Sequence, residues 1–211
     1  MRIGILGTGV VARALGTGFV QQGHDVRFGT RDPRSDKALA LVAAVGPRCS
    51  IGTFADAAQF AELAVLATLW AGTENVIRLA GPDRLAGKTV IDTTNPLQGM
   101  PPALAVGHTD SAGEQVQRWL PGARVVKAFN VVGNAHMVHP QFPGGPPDMF
   151  ICGNDAAAKR AVTAICTAFG WPTIDLGGIE NARYLEPLAM VWIVYGFGTN
   201  NWNHAFKLLH K

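Results

Sequence analysis

The opening of this 211-residue chain constrains it most: an apolar run, Arg2 to Leu6, breaks into Gly7-Thr8-Gly9-Val10-Val11-Ala12 and then into an amphipathic stretch. The backbone must pass from strand to helix within a few residues. Gly7 permits the tight turn, Gly9 leaves room for the backbone to approach a ligand, and the small Ala12 lets helix and strand pack closely. A helix beginning here aims unpaired N–H groups and a partial positive charge at the space in front of it. The turn therefore predicts a bound dinucleotide pyrophosphate on Gly7, Thr8, Gly9, Val10 and Val11.

Downstream, short apolar runs alternate with amphipathic ones, the pattern of a parallel sheet with helical crossovers. Strands are expected at Arg2–Leu6, Asp25–Phe28, near Cys49–Thr53, and at Leu63–Ala67, Thr89–Asp92, Val125–Phe129, Met149–Cys152 and Thr173–Asp175. Helices are expected at Val10–Gln22, Asp36–Val45, Phe54–Phe60, Thr73–Leu79, Ser111–Leu120, Ala156–Phe169 and from Glu180 onward. Gly23 and Gly46-Pro47 stop the first two helices, and Ser111 with Glu114 has the form of a capping box. Asn95–Gly107 and the proline- and glycine-rich His139–Pro147 read as loops, the second able to fold over a site. With no linker or repeat in view, residues 1–211 form one α/β domain: a Rossmann-type, doubly wound, mostly parallel sheet with a small C-terminal helical and strand extension.

Composition excludes several function classes. The formal charge of +3 comes with no basic run, which argues against nucleic acid. Cys49, Cys152 and Cys166 are odd in number and form no CxxC pair, so they read as buried thiols in a reducing cytoplasm. The longest apolar run, Pro187 to Phe197, is too short for a membrane span. The start lacks the pattern of a signal peptide. His136 and His139 have a metal-like spacing, but without a carboxylate or cysteine pattern nearby no metal site is expected, and they flank the loop instead.

The end of the second strand identifies the dinucleotide. An acidic residue there would bind a ribose 2′-hydroxyl; this chain has Gly29-Thr30-Arg31-Asp32, with Arg34 and Lys37 close behind. Arg31 can grip a 2′-phosphate and stack on adenine, which selects NADP(H) over NAD. Asp32 could reach a ribose hydroxyl, but an Asp before Pro33 is expected to cap the turn instead. In a doubly wound sheet the remaining site residues follow the strand ends: Ala67, Thr68, Leu69 and Trp70; Thr93, Thr94, Asn95 and Pro96; Phe129, Asn130 and Val131, with Asn134 beyond. Trp70 could equally fill the core. Asn130, an amide directly after an apolar strand, needs a partner and could orient a carboxamide or a ring carbonyl. It is the candidate at the reacting centre. Lys127 is either an acid near the site or a solvent-facing charge. No nucleophile–base arrangement is visible, and hydride transfer requires none.

GTGVVA, GTRDP (Gly29–Pro33), AVLAT followed by Trp70 after an intervening leucine, DTTNP (Asp92–Pro96), VVKAFN (Val125–Asn130) and RYLEPL (Arg183–Leu188) occur in the order and spacing of one family over essentially the whole chain. By these motifs the chain resembles the NADPH:coenzyme F420 oxidoreductases. VVKAFN is also similar to the oxidoreductase domain of the STEAP metalloreductases, which pass electrons from NADPH to a flavin. The resemblance implies hydride transfer between NADP(H) and a deazaflavin or flavin, with residues 148–211 completing the acceptor pocket. It places the pyrophosphate on Thr8–Val11, the 2′-phosphate on Thr30, Arg31 and Arg34, and the nicotinamide beside Thr68–Trp70 and Asn95. The chain departs from the archaeal members at Asn130, where they carry a histidine, and at Leu69, where they carry a proline. F420, FMN, FAD and a quinone thus stay open as acceptor.

Two other functions fit the residues: an NADPH-dependent reductase of a small imine or carbonyl compound, and a non-catalytic NADP(H)-binding module. Enzymes of the first kind append a long helical domain, for which little chain remains after Asp175. The run Leu185–Phe197, rich in Met190, Trp192, Ile193, Tyr195 and Phe197, suggests packing on the sheet and a homodimer whose second copy walls the pocket. Trp192, Tyr195, Asn200 and Asn201 are candidates for the ring-binding side.

Overall fold

The computed structural model describes residues 1–211. Along the chain run β1 (Arg2–Leu6), α1 (Val10–Gln21), β2 (Asp25–Thr30), α2 (Asp36–Val45), β3 (Cys49–Thr53), α3 (Phe54–Phe60), β4 (Leu63–Leu66), α4 (Trp70–Ala80), α5 (Pro82–Leu85) and β5 (Thr89–Asp92). Then follow β6 (Leu97–Gln98), β7 (Ala103–Leu104), α6 (Ala112–Trp119), β8 (Arg124–Lys127), β9 (Met149–Gly153), α7 (Ala156–Ala168), β10 (Thr173–Asp175) and α8 (Ala182–Thr199). The main sheet has the order β10-β9-β8-β5-β4-β1-β2-β3. Its pairs are parallel except β8 with β9, so β9 and β10 run against the rest. This is the doubly wound Rossmann-type sheet expected from the sequence, with the chain reversing its direction of progress between β1 and β4.

Strand side chains alternate between two helical layers. Ile3, Ile5, Ile91 and Val126 join the apolar cluster that α1 and α7 cover, whereas Leu6, Val90 and Val125 join the cluster under α4, α6 and α8. By the same two-residue period Asp92 and Lys127 point to the α6/α8 side. Helix α1 approaches the sheet closely. Ala12 is fully buried, and a side chain on Gly16, one turn later, would run into the Phe28 ring.

Several boundaries differ from expectation for local reasons. Trp70 opens α4 because the chain turns directly after Leu69, three residues earlier than the apolar period suggested. The short α5 is begun by Pro82, a residue already shaped for a first helical turn. Asn95–Gly107 is not wholly irregular: Leu97–Gln98 and Ala103–Leu104 pair as a small antiparallel hairpin, too short to show an alternating pattern. β8 stops at Lys127 rather than Phe129, which takes a left-handed conformation with φ 62°. Ser111 caps α6 by accepting from the Glu114 N–H, but the Glu114 carboxylate takes the Ser111 hydroxyl and Arg183 rather than the Ser111 N–H, so the capping box is half formed. No helix is long and apolar enough to cross a membrane.

Candidate dinucleotide site

Parallel register brings the predicted residues to one edge. Leu6 is paired with Gly29 and Leu66, Leu66 with Asp92, and Asp92 with Lys127. Backbone bonds continue the ladder one step further: Gly7 N–H to Gly29 C=O at 3.1 Å, Ala67 N–H to Leu6 C=O at 3.1 Å, and Ala128 N–H to Asp92 C=O at 3.1 Å. Thr30–Arg31, Gly7–Gly9, Ala67–Leu69, Thr93–Asn95 and Ala128–Asn130 therefore emerge side by side at the carboxyl edge, where such sheets bind ligands.

The two glycines of the turn have different physical reasons. Gly7 has φ 140°, and a Cβ there would fall on the Ala67 carbonyl, so the fold itself demands glycine. Gly9 sits at the N-cap of α1 with φ −78°, and its missing Cβ would point into open space. Nothing in the protein needs that space. It is a cradle at a helix N-terminus with no side-chain cap, which suits a phosphate held by backbone N–H groups. Val10 and Leu69, 66 % and 88 % exposed, leave apolar surface on the same rim, as a site for a flat ring would.

At the end of β2, Asp32 turns back on its own loop. Its Oδ1 accepts the Arg34 N–H at 3.0 Å, and its carbonyl accepts the Ser35 hydroxyl at 2.9 Å. Arg31 and Arg34 are exposed, and neither guanidinium is paired with a carboxylate. Two free cations beside the phosphate cradle fit a phosphorylated ribose.

On the other side of the edge, Thr73 donates to the Leu69 carbonyl at 3.1 Å, so Thr68 must donate to Thr73 at 2.8 Å and is left able only to accept. Trp70, half-buried, stacks on Trp119 at 5.4 Å and 26° against the α6 layer. The Asn95 amide donates to the Asn130 carbonyl at 2.8 Å. The Asn130 amide donates to Asn95 Oδ1 at 3.0 Å and to the Leu185 carbonyl at 3.2 Å. Both its N–H groups are therefore spoken for. It cannot donate to a ring carbonyl; only its Oδ1, buried and without a partner, is free to accept.

Lys127 is neither an exposed charge nor a free acid. Its side chain is fully buried, with Nζ donating to the Thr94 carbonyl at 2.7 Å and lying 2.9 Å from Asp92 Oδ2 and 3.0 Å from Glu186 Oε1. Burial alone would depress the ammonium, but the two carboxylates outweigh it and hold Lys127 above the ordinary lysine value. Glu186 also accepts the Ala112 and Gly113 N–H groups at 2.9 and 3.0 Å, which places a carboxylate at the start of α6.

A family model described as NADP oxidoreductase, coenzyme F420-dependent, matches residues 2–96. A solved structure from Arthrobacter sp. FB24, provisionally assigned as an F420-dependent NADP reductase, is 39 % identical, covers 99 % of each chain and superposes with a TM-score of 0.93. The chain belongs to the F420-dependent NADP reductase family, a family of NADP-dependent oxidoreductases. The F420-dependent NADP reductase of Methanothermobacter thermautotrophicus is 29 % identical over 205 residues, 92 % of this chain and 88 % of that one. The metalloreductase STEAP3 of Rattus norvegicus is 30 % identical over 190 residues, 90 % of this chain; those residues make up 36 % of that protein, so this chain spans about a third of its length.

Of the other expected residues, Pro96 is buried behind Asn95. Asn134 borders a cleft of about 660 Å³ along α1 with Val10, Arg13 and His139. His136 meets Asn203 at 3.0 Å and packs on Phe142, and no cluster of three potential metal ligands occurs. Trp192 is buried, donates to the His204 carbonyl at 2.8 Å, and packs its ring tightly over Gly133. Tyr195 packs edge-on against His204, and Asn200 ends α8 in a left-handed conformation with φ 49°. Asp92 and Glu186 were not anticipated. The signal available was a carboxylate ending an apolar strand and another inside an apolar helix, each needing a buried counter-charge.

Proposed function

We propose that this chain binds NADP(H) along the carboxyl edge and moves a hydride between the nicotinamide and a deazaflavin of the F420 class. The observation that carries the reading is the pair of unpaired guanidiniums, Arg31 and Arg34, beside the open cradle at Gly9, with the neighbouring Asp32 turned into its own loop. In this reading Gly7–Val11 hold the pyrophosphate, and Thr30, Arg31 and Arg34 take the 2′-phosphate. Ala67–Trp70, Asn95, Pro96 and Asn134 line the nicotinamide side. Bound NADPH supplies the hydride, and the protein has to align two rings and exclude water. Asn130 acts at the reacting centre by fixing Asn95 and, through Oδ1, by accepting an N–H. Residues 148–211, above all α8 and the segment after it, complete the acceptor side.

The exposed Tyr184, Val191, Val194 and Tyr195 lie along one face of α8 and support a homodimer in which the partner covers that face. Light scattering that finds a monomer at micromolar concentration removes this part.

The test of the reaction is rapid mixing of the NADPH-loaded protein with F420, FMN and FAD in turn. Transfer to F420 is expected. Transfer to FMN or FAD alone would move the acceptor to a flavin, turnover of pyrroline-5-carboxylate alone would favour the imine reading, and no transfer to any would end the proposal.

A further inference from the structure

Two buried networks meet at the nicotinamide side of the edge. In the first, Lys127 Nζ bridges Asp92 and Glu186 and donates to the Thr94 carbonyl. In the second, Asn95 and Asn130 bond to each other and Asn130 reaches the Leu185 carbonyl. They touch twice. Thr94 and Asn95 are neighbours on the loop after β5, and Leu185 and Glu186 are neighbours on α8. One ammonium thereby ties the ends of β5 and β8, the start of α6 and the first turns of α8. Arg183 strengthens the α6–α8 link by holding Glu114 with two hydrogen bonds at 2.8 and 2.6 Å. The trio carries one positive and two negative charges, and the surplus negative charge sits at the N-terminus of α6.

We infer that Lys127 is a positioning residue: clamped between Asp92 and Glu186, it sets the distance between the Thr93–Asn95 loop and α8, and so fixes where Asn95 and Asn130 present themselves to the reacting ring. Besides its two carboxylates, the ammonium donates to the Thr94 carbonyl at 2.7 Å. That bond transmits the clamp to the residue beside Asn95. In a buried network of this kind the members hold one another in place, and weakening any one lets the others relax. The phosphate-binding residues Gly7–Val11 and Arg31 share no bond with the trio, so dinucleotide affinity and nicotinamide placement are separable here. The inference rests on the proposed hydride transfer for its kinetic readout only.

The full chain carrying Glu186→Gln is the first test, with Asp92→Asn as a second variant should the first not fold; circular dichroism and a melting curve establish folding. NADPH affinity by calorimetry is expected to stay within about threefold of wild type, because uniform binding is untouched. Single-turnover hydride transfer to F420 is expected to fall about 10- to 100-fold, the scale on which a misplacement of about 1 Å acts. The emission of bound NADPH, which reports the surroundings of the nicotinamide, is expected to change. Lys127→Arg, which keeps the charge, is expected to retain more of the rate than Lys127→Met. A folded variant with the rate and emission of wild type overturns the inference. So does a parallel loss of affinity and rate, the mark of general loosening. If wild type transfers no hydride at all, the proposed function fails, while the emission comparison still decides the role of Lys127.

Discussion

The same substitution, glycine to alanine, should have opposite consequences at two positions only two residues apart. At Gly7 an added methyl would lie on the Ala67 carbonyl, far closer than the 3.0 Å that real Cβ atoms respect, and the obstacle is backbone, directly after the neighbouring strand β4. The φ of 140° adds a second cost, since side chains rarely adopt it. Strain at a disfavoured backbone conformation is worth about 1–3 kcal/mol, and forcing a group into filled space about as much again. The sum, roughly 2–6 kcal/mol, is a large share of the 5–15 kcal/mol that holds a typical domain. Gly7→Ala should therefore lower the melting temperature by roughly 5–20 °C. At Gly9 the methyl meets nothing within 4 Å, and φ −78° is ordinary for alanine. The only stability cost is a poorer N-cap, at most about 1 kcal/mol. The methyl would instead occupy the cradle, and NADPH affinity should fall by at least about tenfold, or 1.4 kcal/mol. Differential scanning fluorimetry and calorimetric NADPH titration read the two effects. Undiminished NADPH binding by Gly9→Ala would refute the cradle, and a Gly7→Ala protein melting with wild type would refute the steric argument.

Replacing Arg31 and Arg34 together by alanine should weaken NADP(H) binding about 10- to 100-fold, as expected for losing charge-assisted hydrogen bonds to a phosphate. NAD affinity should hardly move, and competitive titration of the two dinucleotides measures the difference. Arg118 is the main cause that keeps Asp110 at about 2, below its ordinary 3.8, helped by Gln115 and the Ser111 N–H. A lowered folded-state pKa means this contribution is present above about pH 4 and lost as pH falls toward 2; urea melts of Asp110→Asn should show a shallower loss across that window. Burial pushes the thiols of Cys152 and Cys166 up to about 12, so in the native protein at pH 8 neither should react with a thiol reagent until denaturant is added. Fast labelling of either would contradict their burial.

Features decided within a few neighbouring residues were legible in the chain itself. The strand–glycine–helix turn, the Asp32 turn before Pro33, the glycine stop of α1 and the apolar runs of β1, β4 and β5 each follow from local backbone preference or local period. They were enough to indicate the fold class and to nominate the residues of the carboxyl edge, because in a parallel sheet every strand end arrives at the same side. What the chain could not disclose depends on pairing across long separations. A strand buried on both faces gives no sign of which side layer a given residue meets, so Lys127 stayed ambiguous until its register with Asp92 and the arrival of Glu186, on a helix far along the chain, were known. Likewise only the assembled molecule decided that Trp70 stacks on Trp119, that the Asn130 amide spends both donors on Asn95 and Leu185, and that β9 runs antiparallel beside β8. Charges and amides choose partners by proximity in space, and proximity between distant residues is created by packing the two layers, not by any local run of sequence.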